Sequence, residues 1–581
     1  MTLRGFAAAA LCACSSAVAQ DSTYRVVATS GQAANGTSAR FAAFDPESLR
    51  LNENGEVVFI ATLEGEGVAE SNDTGVFVTE GGTPGLIARE GDQGDGVDFG
   101  LFYDFFNPLT PQLNNNGELT IFARLGGAEL DFTEDWMILS NRGDAGGPLR
   151  KIARESDAAP GMPLGVRYST LNPASFNDRG DMVFFASLVG TGIDVTNGLA
   201  VFGDIGGAGI GPIARQTEQA PGLPSGVLYD GFINVGSFPQ LNESGSIAFQ
   251  FKLSGEGVDS SNDLANFAGP ADALLPVART GDPIPGAPPL PNDEIPFFAS
   301  LESARLNDAG ATAMLGRAGA STVTLAPIDR LYSDAATGSL ARVDLRSDPT
   351  RDPTPISWFG MNGSGDVAAI ATVGSGFVPG EGFVATDALV LAPAQGSSRT
   401  VVVEGEPAPA AEGVGDVSVL LAAHINATDR IAFAGAIRPR DGRDEIDAVW
   451  ISGADGSSLL ALAGDTLPNG ATITGISIAA DPDNESPLEF NNAGEVAFVV
   501  ELSDGSQAIV VASLDEGPTP CNAADLAEPF GLLSARDVLA FIRGFFRNDP
   551  AVAAIAEPTD RVGLRDVLGF LDAYFSGCPA E

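Results

Sequence analysis

A short motif that returns eight times constrains this chain more than any other feature. Its first copy is Leu51-Asn52-Glu53-Asn54-Gly55-Glu56-Val57-Val58-Phe59-Ile60-Ala61. It consists of an apolar residue, Asn, a polar turn usually closed by Gly, then a β-rich run with alternating apolar positions. Later copies begin at Leu113-Asn114, Phe176-Asn177, Leu241-Asn242, Leu306-Asn307, Met361-Asn362, Ile425-Asn426 and Phe490-Asn491. The Asn residues are spaced by 62, 63, 65, 65, 55, 64 and 65 positions. Self-similarity at one such period means that a single supersecondary unit is repeated, and its way of stacking decides the fold.

A second motif runs out of phase with the first. It is Ile87-Ala88-Arg89-Glu90-Gly91-Asp92, and it returns at Ile152-Ala153-Arg154, Ile213-Ala214-Arg215, Val277-Ala278-Arg279 and Leu340-Ala341-Arg342. Between the two motifs lies a short apolar strand such as Gly75-Val76-Phe77-Val78, and after the second comes an aromatic segment such as Phe102-Tyr103-Asp104-Phe105-Phe106. Each period therefore holds three clear strands and room for a fourth, the content of a propeller blade. The eighth unit stops before its Ala-Arg strand, while the N-terminus carries a lone copy, Val26-Val27-Ala28-Thr29-Ser30-Gly31. An open solenoid needs no such complement, whereas a ring does, because pairing the first and last strands removes an exposed edge. The expectation is an all-β, eight-bladed β-propeller over residues 20–516, closed by the N-terminal strand. A seven-bladed ring or a β-solenoid is the alternative.

Residues 1–19 read as a signal peptide: Arg4, an apolar stretch from Gly5 to Cys14, and an Ala17-Val18-Ala19 cleavage site. The expected location is extracellular or at the cell surface. Removing Cys12 and Cys14 with the signal leaves Cys521 and Cys578, an even pair expected to form a disulfide in an oxidising compartment. A loop of that length gains about 4 kcal/mol from closure. The net charge is −45 and Lys occurs only at positions 151 and 252, so a nucleic-acid partner is excluded on electrostatic grounds. No later run is long enough to span a bilayer as a helix.

Ile247-Ala248-Phe249, Ile431-Ala432-Phe433 and Val496-Ala497-Phe498, each following its Asn turn, carry a signature that resembles the secreted bacterial choice-of-anchor tandem-repeat family. The fifth and sixth copies, Thr312-Ala313-Met314 and Val367-Ala368-Ala369, lack the Phe. That resemblance implies no assigned activity, only that members carry varied C-terminal anchors.

Residues 517–520 read as a linker, and 521–581 as a separate module duplicated at an offset of 29: Arg536-Asp537-Val538-Leu539 matches Arg565-Asp566-Val567-Leu568. Val538, Phe541, Ile542 and Phe545 share one helical face, and Val567, Phe570, Leu571 and Tyr574 share another, so two short helices are expected to pack together. The opening Cys521-Asn522-Ala523-Ala524-Asp525-Leu526-Ala527-Glu528-Pro529 and the closing Gly577-Cys578 resemble a GC-type dockerin. The resemblance implies anchoring, with an envelope component or a cohesin-like partner. It makes calcium a candidate cofactor, with Asp525, Glu528 and Asp537 as candidate ligands. Ala527 and Pro529 stand at interior ligand positions, and the bland reading of Asp537 and Asp566 is that of carboxylates at helix N-termini.

Catalytic constellations are scarce. His424 is the single histidine, which excludes His- and Cys-based zinc sites and leaves any Ser-His-Asp triad dependent on that one residue. Asp92, Asp157, Asp282 and Asp465 recur once per unit, so they are expected to be structural, for instance by pairing with Arg89, Arg154 or Arg279. Three loops are alike, Gly65–Asp73, Gly190–Asn197 and Gly255–Asp263, and are expected to be hairpins with side-chain turn bonds. Trp136 and Trp450 are expected in the core, and Trp358 as an exposed stacking residue. The expectation for function is a secreted, non-catalytic binding or structural protein with a polysaccharide or protein ligand. The alternative is a carbohydrate-active enzyme with two carboxylates in the funnel, which acidic residues in only one or two blades would betray.

Overall fold

Each Asn turn joins the innermost strand of a sheet to the next strand, and the turns converge on one axis. The computed structural model describes residues 22–514, apart from 95–96, 98, 128–129, 131–133, 232–237, 322–328, 347–354, 379–381, 412, 455 and 478–487. Beyond residue 514 it describes Val538, Phe541, Ile542, Phe545 and 564–576. The chain divides into a large unit holding Tyr24–Ser513 and a smaller one holding Leu514–Glu581.

The large unit is an eight-bladed β-propeller. Blade 1 is the antiparallel sheet Arg40–Phe44, Val57–Glu64, Thr74–Glu80 and Thr83–Arg89, in that order outward from the axis. Blades 2 to 7 repeat it over 102–154, 167–215, 227–279, 297–342, 356–403 and 415–462. In blades 1 to 5 and in blade 8 an added two-residue strand, Arg50–Leu51 in blade 1, precedes the Asn. Blades 6 and 7 lack this break: their inner strands, Ile356–Met361 and Gly415–Ile425, run through to the turn. In the last sheet the order is Ile473–Ser477, Glu495–Leu502, Gln507–Leu514 and then Ser22–Thr29.

The eight asparagines count the blades. Each side-chain amide Nδ2 donates to the backbone carbonyl of the Asn in the next blade. The chain of donors runs from Asn52 to Asn114 (3.0 Å), Asn177 (3.1 Å), Asn242 (2.9 Å) and Asn307 (2.9 Å). It continues to Asn362 (2.9 Å), Asn426 (3.3 Å), Asn491 (3.0 Å) and back to Asn52 (3.2 Å). The circuit has eight members and closes, so neither a seven-bladed ring nor a solenoid describes the chain. Inside each turn the Asn Oδ1 accepts backbone N–H groups from within the turn, as Asn242 does from Ser244 (3.1 Å) and Ser246 (2.8 Å). All eight are buried.

The second motif forms the other joint between blades. The Gly91 N–H donates to Tyr103 O of the next blade (2.8 Å), and the Tyr103 N–H returns to Asp92 O (3.0 Å). Gly281, Asp282 and Phe298 do the same, as do Gly31, Gln32 and Phe41, the last using the lone N-terminal copy. The turn residue is left-handed: Gly91 has φ +81°, but Ser156 and Thr217 hold the same place at +65° and +73° without being glycine.

The core lies between blades. One apolar cluster joins Phe41, Phe59 and Phe77 of blade 1 to Val499, Ile509 and Val511 of blade 8, and another joins blades 3 and 4 through Val201, Phe249 and Phe267. Because each blade is covered on both faces, its second strand is buried on both sides near the axis. Val57 to Ala61 are all buried, and exposure alternates only beyond them. In several blades the Phe at this place in the repeat stacks on an aromatic cross-strand partner: Phe59 on Phe77 at 5.6 Å, Phe184 on Phe202 at 5.9 Å, and Phe433 on Trp450 at 5.1 Å. Such pairs contribute about 0.5–1.5 kcal/mol beyond burial.

In the smaller unit, one helix spans Leu564–Ser576, with Asp566 buried in its first turn. Phe541 and Phe570 are buried and stacked at 4.3 Å, so the two expected apolar faces do meet. The contact is narrower than the pattern implied: Ile542 and Leu571 are 42% and 41% exposed, because the aromatic pair fills the contact and these residues flank it.

The ring makes a direct prediction. Asn242→Ala removes the acceptor of the Ser244 and Ser246 N–H groups and the amide that reaches Asn307 O in the next blade, and is expected to cost about 1–3 kcal/mol in chemical unfolding. A surface control such as Asp272→Ala is expected to stay within about 0.5 kcal/mol of the parent.

Candidate functional site

Propeller blades surround a central channel, and the residue two before each Asn stands on the innermost strand beside it. Going round from blade 1 these are Arg50, Gln112, Ser175, Gln240, Arg305, Gly360, His424 and Glu489. Most reach sideways to the following blade. Gln112 Oε1 accepts from the Phe176 N–H (2.8 Å), Gln240 Oε1 from Leu306 (2.8 Å), and Glu489 Oε2 from Leu51 (3.1 Å). His424 Nδ1 lies 3.0 Å from Leu488 O, so that nitrogen carries the proton and donates. Unlike the Asn ring, this wall is not symmetric. Gln and Ser fill blades 2 to 4, and every titratable member lies in blades 5, 7, 8 and 1.

Electrostatics in that sector follow from burial. His424 is pushed below its usual range by burial, with Arg305 adding to the effect, so it is neutral. Burial raises Glu489, and Arg50, 3.9 Å away, and the Leu51 N–H oppose that. The Trp358 ring fills the place a side chain at Gly360 would take, and the Arg305 guanidinium stacks over the Phe359 ring at 4.6 Å. Glu489 is the single carboxylate on this wall, and it already accepts a backbone N–H.

A second belt encircles the same end of the channel, made by the residue after each Asn. Its side chain accepts the backbone N–H of the equivalent residue in the preceding blade. Asn115 takes Glu53 N–H (2.8 Å), Asp178 takes Asn115 (2.6 Å), Glu243 takes Asp178 (2.9 Å), and Asp308 takes Glu243 (3.2 Å). Asn492 takes Ala427 (2.7 Å) and Glu53 takes Asn492 (2.8 Å). Blades 6 and 7 supply Gly363 and Ala427 here, which have no acceptor to give. Burial and the neighbouring Asp178, Asp308 and Asp181 push Glu243 up to about 7, against the pull of the Asp178 N–H.

The recurrent residues singled out in the sequence hold blades together. Arg89, Arg215 and Arg279 do not depend on the following acid for a partner. Their Nε atoms donate to the carbonyls of Asn72 (2.7 Å), Asn197 (3.2 Å) and Asn262 (2.6 Å) in the hairpin loops. Those loops carry the expected side-chain bonds: Asn72 Oδ1 accepts from Ala69 N–H and its Nδ2 donates to Gly67 O, with the same pair at Asn197 and Asn262. Asp157 pairs with Lys151 (2.9 Å), and Asp465 accepts from the Tyr24 hydroxyl (2.7 Å). Trp450 is fully buried and donates to Pro409 O. Trp136 is half-buried and stacks on Phe122. Trp358 is not an exposed platform. It packs into the cluster between blades 6 and 7, because the unbroken inner strand turns its ring toward that interface. Asp525, Glu528, Asp537, Cys521 and Cys578 lie outside the described residues. Among the described residues no group of three or more His, Cys, Asp or Glu side chains is placed to hold a metal ion, and no helix is long and apolar enough to cross a membrane.

One set of acids escaped the sequence reading. Glu90 and Glu155, directly after the Ala-Arg pair, are buried, and both are pushed up to about 7. Burial is the main cause in each case, with Asp73 and Asp104 acting on Glu90 and Asp135 on Glu155. Glu155 accepts from the Trp136 N–H (3.1 Å); in blades 3 and 4 the neutral Gln216 and Thr280 make the same bond to Leu199 and Leu264.

Residues 14–142 and 110–523 match a family of unknown function (DUF7453), and the chain belongs to that family. Comparison with curated proteins gives no match. Among solved structures the chain is similar to a puromycin hydrolase mutant complexed with PGG, at 12% identity over 69% of this chain, with a TM-score of 0.30. The chain spans 58% of that hydrolase's length. It is similar to polysaccharide lyase Uly1, at 9% identity over 85% of this chain and 100% of the lyase (TM-score 0.35). It is also similar to the Dos1 propeller, at 9% identity over 84% and 94% of the two chains (TM-score 0.32).

The raised acids fix the sign of a pH effect. A carboxyl whose folded pKa lies above its unfolded value binds more protons in the native state, so its contribution to stability declines as pH rises from about 4.5 to about 7. The melting temperature is expected to fall between pH 5 and pH 8. Glu155→Gln, which copies Gln216, is expected to gain on the order of 1 kcal/mol at pH 8 relative to the parent and little at pH 5.

Proposed function

We propose that this is an exported protein whose propeller engages a polysaccharide at its axial channel without cleaving it, displayed through residues 521–581. The observation that carries the non-catalytic reading is the use made of the channel carboxylates. Glu53, Asp178, Glu243 and Asp308 recur from blade to blade, and each accepts a neighbour's backbone N–H. Acids so engaged serve the ring, and Glu489 has no second carboxylate on its wall to complete a hydrolytic pair. The channel offers amides, hydroxyls and carboxylates, groups that exchange hydrogen bonds with sugar hydroxyls, and the strongly acidic chain disfavours polyanions. A choice-of-anchor repeat body with a dockerin-like end fits the same reading.

The second reading, a carbohydrate-active enzyme, is favoured by one observation. Arg305, His424, Glu489 and Arg50 are confined to one side of the wall, the kind of broken symmetry a catalytic site requires. Incubating the full chain with a polysaccharide panel separates the two. Retention with no new reducing ends or unsaturated products supports binding. Turnover that disappears in Glu489→Gln replaces it with the enzyme.

The same proposal assigns Ser22–Thr29 the role of clasp for the eighth blade. Removing residues 20–30 is expected to bare the Gln507–Leu514 edge, lower the melting temperature, and shift the protein to dimers or larger species in size-exclusion chromatography. A monomer of unchanged stability would show that closure does not need this strand.

A further inference from the structure

The belt that follows the Asn ring is complete in six blades and open in the sector where Gly363 and Ala427 stand. Its rule is one backbone N–H per blade, accepted by the next blade's side chain. Without acceptors at Gly363 and Ala427, the N–H groups of Asp308 and Gly363 have no hydrogen-bond partner among the described residues. Two adjacent donors at the channel mouth therefore face the space that two missing side chains would fill.

The gap is not forced by the backbone. A Cβ built on Gly363 meets nothing within 4 Å, and its φ is not in the left-handed region. A side chain such as the Asp of blade 5 would fit there. By contrast, the residue that departs from the repeat at a conformational cost lies in the same sector. Asp429 holds the left-handed position, φ +61°, that glycine holds in the other seven turns. It accepts from Asn362 Nδ2 (2.7 Å) and Ser364 Oγ (3.3 Å), and Asp366 lies beside it, pushed up by burial and then by Asp429.

We propose that this gap, between Asp308, Gly363 and Asp429, is where the channel receives its ligand, and that the ligand group is a hydroxyl of an uncharged saccharide. The inference rests on the polysaccharide reading above and names its place. Two N–H donors call for an oxygen acceptor, which a cation lacks. Asp308, Asp366 and Asp429 around them repel a carboxylate or sulfate. A hydroxyl meets both demands, accepting from the backbone donors and donating to the carboxylates. Neighbouring hydroxyls of the same sugar would extend toward Ser364.

The test is to close the gap by the protein's own rule. Gly363→Asp and Ala427→Asn each restore an acceptor that other blades carry, singly and together. The probes are neutral gluco-, manno-, xylo- and arabino-oligosaccharides, with oligogalacturonate as the charged contrast, measured on the full chain by calorimetry beside the melting temperature. The expected result is that a neutral oligosaccharide binds the parent. Either single variant then weakens it at least about tenfold, the loss of roughly one buried hydrogen bond, while melting stays equal or rises. Oligogalacturonate is expected not to bind. Parent and double variant binding equally, with both folded, would overturn the gap while leaving the polysaccharide reading intact. No binding of any saccharide to the parent would overturn both. Tighter binding of oligogalacturonate than of every neutral probe would overturn the hydroxyl assignment.

Discussion

One side-chain amide per blade holds the geometry on which everything else depends. Asn is suited to this place by its inventory: Oδ1 accepts backbone N–H groups inside its own turn, and Nδ2 still has a donor for the next blade. Asp would bring a charge and no donor to a carbonyl partner. Gln would carry the amide one methylene too far to close the turn. Because Asn491 donates to Asn52 as Asn52 donates to Asn114, the interaction is cyclic. The number of blades is thereby set, and the inner strand ends are pinned within hydrogen-bonding distance of one another. The apolar interfaces supply the larger driving force, as clusters such as Phe41–Phe59–Phe77 against Val499 and Ile509 show. They have no direction of their own, and the asparagines orient them.

Much of the fold was legible because the signals that specify it are local and repeated. The Asn–Gly spacing marked the turns, and the truncated eighth unit with its lone N-terminal copy argued for a ring. What was hidden depended on packing between units. Val57–Ala61 is buried throughout because a blade packed on both faces leaves no polar side. Trp358 looked exposed because it precedes the sixth turn, and nothing in the residues around it announced that the inner strand of blade 6 runs unbroken to its Asn. Arg89 looked like the partner of Asp92 and does act on that carboxyl electrostatically, but its guanidinium donates to a loop carbonyl of its own blade. The channel residues were hardest to see. Positions such as Gln112, His424 and Glu489 vary from copy to copy, so a search for recurrence passes over them.

That contrast separates architecture from function in this molecule. Residues that repeat, such as the Asn ring, the belt acids and the Ala-Arg turns, satisfy backbone groups that every blade presents. Residues that differ between copies are not tied to a requirement that every blade shares, even where they bond a neighbour as Gln112 and Glu489 do, and a ligand can draw on them. Arg305, Gly360, Gly363, Ala427 and Asp429 fall in consecutive blades, together with the unbroken inner strands of blades 6 and 7. Departures gathered in one sector give an otherwise radial body a front.

The cyclic amide circuit also bears on how the gene could be cut and rejoined. A ring in which every blade makes the same donation has no privileged first member. Ser22–Thr29 and Gln507–Leu514 are neighbours in one sheet, so these two segments already lie in a single blade. Joining them and reopening the chain in a different inter-blade loop would leave all eight Asn contacts available. Deleting one repeat is a different operation, because every remaining joint must then open to a wider angle for the circuit to close. Which blade comes first is a historical accident of the ring.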